Sequence, residues 1–225
     1  MFEECKTWLE SDQINLYAYW QGYQLKNLED GVDILLVAQD YGYNPDHDPK
    51  YLRTLDRIKK GAKDAGYEES DNKTNNAIKE NFLYMGIDVR KYDCGKRLFF
   101  TNYSLGYRPL SAGSESKLMT RSLLKQDKGL FEDLVAVIKP KVIICLGKEV
   151  YELVIDKSTK DTNGKETWQD HLRTGVPFCS TYPLDPSIKV YGVAHPAYQE
   201  VNAGGKPNVI SAWKYIAKEM KEMGI

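Results

Sequence analysis

The sequence predicts an α/β protein: a three-layer αβα sandwich with a short, mainly parallel central sheet. Two observations carry that prediction. Short apolar runs without polar alternation read as buried strands, and the segments between them repeat apolar residues at helical spacing. A length of 225 residues suits one large α/β domain, so residues 1–225 are read as a single domain with residues 1–31 as an N-terminal helical extension.

The strands are taken in order. VDILLVAQD at 32–40, RLFFTN at 97–102 and KVIICLG at 141–147 are rich in β-branched or aromatic residues, as strands covered on both faces are. A fourth, IKVYGVAHP at 188–196, is less pure. Helical spacing links Leu52, Leu55 and Ile58, then Ile78, Phe82 and Met85, then Phe131, Leu134, Val135 and Ile138. The stretch 207–223 opens on Pro207 and sets Ile210, Trp213, Ile216, Ala217 and Met220 on one stripe, which predicts a closing amphipathic helix. Two polar connections, 40–49 and 104–116, resist assignment, and 158–170 reads as an exposed hairpin or excursion around Asn163-Gly164.

Composition excludes several classes of function. With 42% hydrophobic and 28% charged residues, and 16 Tyr, 4 Trp and 6 Phe, the chain has the means to build a core. No apolar run approaches the roughly 20 residues needed to cross a bilayer. The start, MFEECKTWLESDQ, lacks the features of a secretory signal, so a cytoplasmic location is expected. Cys5, Cys94, Cys145 and Cys179 are far apart and form no CxxC pair, which predicts free, mostly buried thiols and no metal site. Residues 1–50 hold ten acidic and three basic side chains, a balance of −7, whereas residues 51–225 hold 28 basic and 22 acidic, a balance of +6. A basic majority after an acidic start is compatible with a polyanion, and also with ordinary solvated helix faces.

In open parallel sheets, ligands bind beyond the carboxyl ends of the strands. Those ends carry Gln39, Asp40, Tyr41 and Gly42, then Thr101, Asn102 and Tyr103, then Gly147 and Lys148, then His195 and Pro196. A carboxylate, a carboxamide, a glycine turn and an imidazole would meet on one edge, a set able to act on a polar heterocycle. Each has an ordinary reading too: Asp40 as a turn cap, Asn102 as a loop amide bonded to backbone, His195 as a structural ring bonded to a carbonyl, and Gly147 as a strand-to-helix turn.

The ordered series VAQDYG at 37–42, FFTNYSLGYRP at 99–109, IKPKVIICLGKEV at 138–150 and VAHPAY at 193–198 resembles the motif set of the uracil-DNA glycosylase superfamily, over about residues 33–223. The resemblance implies that Asp40 positions water and faces the developing sugar cation. It implies that His195 bonds the uracil O2 as charge gathers on the departing base. Asn102 would read the edge of the flipped base, whose N3–H and O4 suit a carboxamide. Gln39, Tyr41, Gly42 and Tyr43 fall in the base-binding loop, with Tyr43 or Tyr51 as the ring that stacks on the base. Gly147 and Lys148 would hold a phosphate, and Pro196 and Tyr198 lie where the family wedges a side chain into the duplex. Arg108, Arg121 and Lys206 would add phosphate contacts.

This sequence departs from the family at Ala38, where several branches have Gly, and at Tyr41, where Pro is usual. Gly42 stands where one branch has a Tyr that blocks the thymine methyl. The cysteines of the iron–sulfur branch are missing. The expectation is a monofunctional glycosylase that removes uracil or a related deaminated base from DNA, acting as a monomer with no metal or organic cofactor and no membrane. The alternatives are an inactive module of the same fold that binds uracil-containing or single-stranded DNA, and a nucleoside or nucleotide hydrolase.

Overall fold

A computed structural model describes residues 19–21, 31–39, 73–91, 94–104, 121–159 and 167–225. Six strands form one sheet: β1 (Tyr19–Gln21), β2 (Val32–Ala38), β3 (Leu98–Asn102), β4 (Pro140–Leu146), β5 (Phe178–Tyr182) and β6 (Asp185–Val193). Their spatial order is β1-β3-β2-β4-β6-β5. The inner neighbours β3, β2, β4 and β6 pair in parallel, and β1 and β5 pair antiparallel at the two edges. The helices are α1 (Lys73–Tyr84), α2 (Arg121–Gln126), α3 (Lys128–Ile138), α4 (Lys148–Val154), α5 (Trp168–Leu172), α6 (Gln199–Ala203) and α7 (Lys206–Glu222), with a 3₁₀ turn at Pro196–Tyr198.

The inner strands are apolar on both faces because both faces are covered. Ile34, Leu35, Leu36 and Val37 of β2 and Val142, Ile143, Ile144 and Cys145 of β4 are all buried. Side chains alternate across a strand, and parallel register keeps paired residues on one face. Leu36 pairs with Phe100 and with Ile144, and Ile144 with Tyr191, so these four share a face. Helices α1 and α7 cover it: the Phe82 ring lies 5.0 Å from Phe100 and 5.6 Å from Trp213. On the opposite face Gly192 leaves room for Tyr151 of α4 and Trp168 of α5, and Trp168 stacks on Phe178 at 4.3 Å with the planes 2° apart. The architecture is a mixed, mostly parallel sheet flanked by helices, an α/β arrangement.

The four expected strands and the helices on 73–84, 128–138 and 206–222 are present. Their ends move by a few residues: β6 starts at Asp185, ahead of the expected 188. The segment holding Leu52, Leu55 and Ile58 lies outside the described residues. Three local readings differ from expectation. Within 1–31, expected to be helical, Tyr19–Gln21 form a strand against β3. Only the end of the excursion expected over 158–170 enters helix α5, which begins at Trp168 behind a capping box: the Thr167 hydroxyl accepts from Asp170 N–H at 3.2 Å and the Asp170 carboxylate from Thr167 N–H at 3.1 Å. The loop after His195 is also built, as the 3₁₀ turn and α6, and α6 closes on Gly204 with φ +72°. Of the described cysteines, Cys145 is buried, Cys94 half-buried and Cys179 exposed, and all three are free thiols.

Candidate functional site

Hydrogen bonds that run past the strand ends shape the carboxyl edge of the sheet. Tyr103 N–H donates to Ala38 O at 2.8 Å and Ser104 N–H to Gln39 O at 3.0 Å, carrying the β2–β3 ladder beyond Asn102. Gly147 N–H donates to Val193 O at 2.8 Å, which does the same for β4 and β6. The edge therefore presents, strand by strand, Asn102, Gln39, Gly147 and His195. With neighbouring strands about 4.8 Å apart, these four chain ends span roughly 14 Å.

Asn102 is buried and registers with Ala38, on the face shared with Phe100 and covered by α1. Gln39 is half-buried at the turn out of β2. His195 is half-buried in extended backbone at φ −60°, ψ 130°, the region the following Pro196 favours. Its Nδ1 accepts from Ala197 N–H at 3.3 Å. An accepting Nδ1 suits the tautomer that carries its hydrogen on Nε2.

Gly147 lies beside this histidine. It sits at φ 106°, ψ 161°, a region only glycine occupies without strain, and a Cβ built on it would lie 3.7 Å from His195 Cβ. Lys148 opens α4, but that helix has seven residues and the Lys148 ammonium lies 3.8 Å from Glu152. Pro196 is buried, whereas Tyr198 is 66% exposed, 6.4 Å from the His195 ring, with Lys73 Nζ 5.8 Å from its centroid.

The structure thus brings Gln39, Asn102, Gly147 and His195 to one edge, with Lys148, Pro196 and Tyr198 beside them. Asp40, Tyr41, Gly42 and Tyr43 lie outside the described residues, as do Tyr51 and Arg108. The other basic residues expected to hold phosphates are in ion pairs. Lys206 Nζ is 2.6 Å from Glu80, and Arg121 Nη1 is 2.7 Å from Glu152 with its Nε 3.5 Å from Glu149. These contacts hold the Glu80 and Glu152 carboxyls below their ordinary range. At Glu80 the Lys206 bond leads, and at Glu152 burial pulls the other way but two bonds from Thr159 and one from Arg121 outweigh it.

One feature of the edge escapes motif reading. Asn81 of α1 and Gln199 of α6 are both buried, and Asn81 Nδ2 donates to Gln199 Oε1 at 2.7 Å. This amide pair ties the segment carrying His195 and Tyr198 to α1. The signal was present: Asn81 falls between Ile78 and Phe82 on the apolar stripe, where a polar residue needs a buried partner.

Among the described residues no group of three or more His, Cys, Asp or Glu side chains could hold a metal ion. None of the described helices is long and apolar enough to cross a membrane. No family model matches the chain, and no curated protein matches it.

Proposed function

We propose that this protein is a DNA glycosylase that hydrolyses the N-glycosidic bond of uracil or a related deaminated base. The observation that carries the reading is the placement of a carboxamide, Asn102, and an imidazole, His195, at the carboxyl edge of one parallel sheet. In this reading the sheet and its helices are the three-layer sandwich of the uracil-DNA glycosylase superfamily.

Asn102 supplies an acceptor and two donors, enough to pair with N3–H and O4 of an extruded uracil and to mismatch the cytosine edge. As the C1′–N1 bond breaks, its electron pair stays with the base and spreads onto O2, toward which the His195 Nε2–H donates. A preorganised donor aimed at charge that appears only in the transition state lowers the barrier directly. The sugar becomes cation-like, and Asp40, the residue after Gln39 in sequence, stabilises it and orients water. The water oxygen ends on C1′, and its proton on the departing base. The exposed Tyr198 beside Lys73 is the side chain to fill the gap in the duplex.

The test is a uracil-containing oligonucleotide incubated with the protein and then treated with alkali. Strand breaks at the uracil, abolished in Asp40→Asn, are the expected result. Retention of the oligonucleotide without breaks leaves the binding-module reading in its place. Base release from free nucleosides with no preference for DNA makes the protein a nucleoside hydrolase.

A further inference from the structure

Three consecutive residues of α1 reach three different parts of the chain. Glu80 accepts from Lys206 Nζ at 2.6 Å at the start of α7, Asn81 Nδ2 donates to Gln199 Oε1 at 2.7 Å, and the Phe82 ring lies 5.0 Å from Phe100 of β3. Phe100 comes two residues before Asn102, and Gln199 four residues after His195. Strands β3 and β6 are separated in the sheet by β2 and β4, so no ladder bond joins the strand of Asn102 directly to that of His195. One turn of α1 bridges them instead.

The link from Gln199 back to His195 is short and has little freedom. Pro196 is buried with its φ fixed by the ring, Tyr198 N–H donates to His195 O at 3.0 Å, and Ala197 N–H donates to His195 Nδ1 at 3.3 Å. A shift of Gln199 is therefore carried to the imidazole. Beyond Gln199, Asn208 Nδ2 donates to Ala203 O at 2.7 Å, so the segment is held on that side too.

The amide pair is a poor choice for stability alone. Asn81 is 0% exposed and Gln199 7%, and among the described residues Asn81 Oδ1 is buried with no hydrogen-bond partner. A buried acceptor left unpaired costs stability, and two apolar side chains of similar shape would fill the same space without that cost. Apolar contact lacks direction, however. A hydrogen bond of 2.7 Å between two side chains selects one relative placement of the elements that carry them.

We propose that Asn81 and Gln199 are positioning residues, which set the His195 imidazole relative to Asn102 through α1 at some cost in stability. The effect on base release rests on the glycosylase reading; the placement of the ring does not.

The experiment compares the full chain with its Asn81→Leu/Gln199→Met double variant, in which the shapes are kept and the bond is lost. The melting temperature should stay at or above the parent value. The ring-nitrogen NMR signals of His195, identified by their loss in His195→Gln, should move. Uracil release in single-turnover assays should slow by about 10²-fold, the loss expected when a reacting group is misplaced by about 1 Å. On the unmodified protein, hydrogen exchange over residues 196–203 should stay within about tenfold of that in α1, as one cooperative unit. A double variant that melts well below the parent, or fails to fold, overturns the proposal and leaves the pair as plain cohesion. His195 signals that stay in place, release at the parental rate, or exchange over 196–203 that runs far ahead of α1 overturn it as well. If the parent protein releases no base, the glycosylase reading fails by itself, and the ring signals and the exchange still decide the role of the pair.

Discussion

Gly192 offers the sharpest test of how the sheet carries its site. It lies in β6, three residues before His195, and pairs with Cys145 of β4. A methyl group placed on it would fall 2.7 Å from two ring atoms of Tyr151 and 2.8 Å from Trp168 Cη2. Carbon atoms rest about 3.5 Å apart or more, so the overlap is roughly 0.7–0.8 Å against two rings at once. Neither ring has room to retreat: Tyr151 is 2% exposed, and Trp168 is stacked on Phe178. Overpacking a tight interior by one methyl costs about 1–3 kcal/mol, and two blocked rings put Gly192→Ala near the upper end. In a domain of this size each kcal/mol lowers the melting temperature by about 2–4 °C, so a fall of roughly 6–12 °C is expected. Circular dichroism on heating measures it. A second arm isolates the cause: in a Tyr151→Leu background the same Ala should cost markedly less, because one obstacle has gone. A midpoint within about 1 °C of the parent, or an equal cost in both backgrounds, refutes the packing of α4 and α5 over this glycine.

Three further outcomes are expected. Gly147→Ala, forced into backbone that side chains avoid, should cost about 1–3 kcal/mol in urea unfolding, although the methyl itself has room against His195. His195→Ala should slow base release by about 10²–10³-fold in single-turnover assays while leaving the melting temperature close to the parent value. Asp33 is buried, which raises its pKa, but the Arg97 N–H at 2.9 Å and Lys141 Nζ at 2.9 Å more than reverse this and hold it below the usual 3.8. Its contribution is therefore present above the unfolded pKa and lost as pH falls through the lower folded value. Asp33→Asn should remove about 1–3 kcal/mol at pH 7 and flatten the acid limb of a stability-against-pH curve below about pH 4.

The fold was legible where burial is two-sided. A strand covered on both faces is apolar on both along its central run, and Ile34–Val37 of β2, Leu98–Phe100 of β3 and Val142–Leu146 of β4 announce themselves by that alone. The edge strands were not. β5 runs half-buried, exposed, half-buried, exposed, buried, with Cys179, Ser180 and Thr181 giving a weak period, and its identity comes from pairing with β6 across the short turn at Pro183-Leu184. Strand β1 has three residues and depends on β3 for its ladder. Helix α5 shows a different failure. Its capping box, Thr167 to Asp170, was written in the sequence, but the turn signal at Asn163-Gly164 drew the whole polar stretch into one loop reading.

At the candidate site, residue type and strand position were readable, because a residue following a buried strand can only emerge at the carboxyl edge. Charge pairing was not. Lys206 and Glu80 are 126 positions apart, and nothing local to either predicts that they meet at 2.6 Å. Arg121 similarly finds Glu152 from 31 positions away. A basic residue near a motif therefore says little about phosphate binding until its partner is known, since an ion-paired lysine must give up one contact to make another.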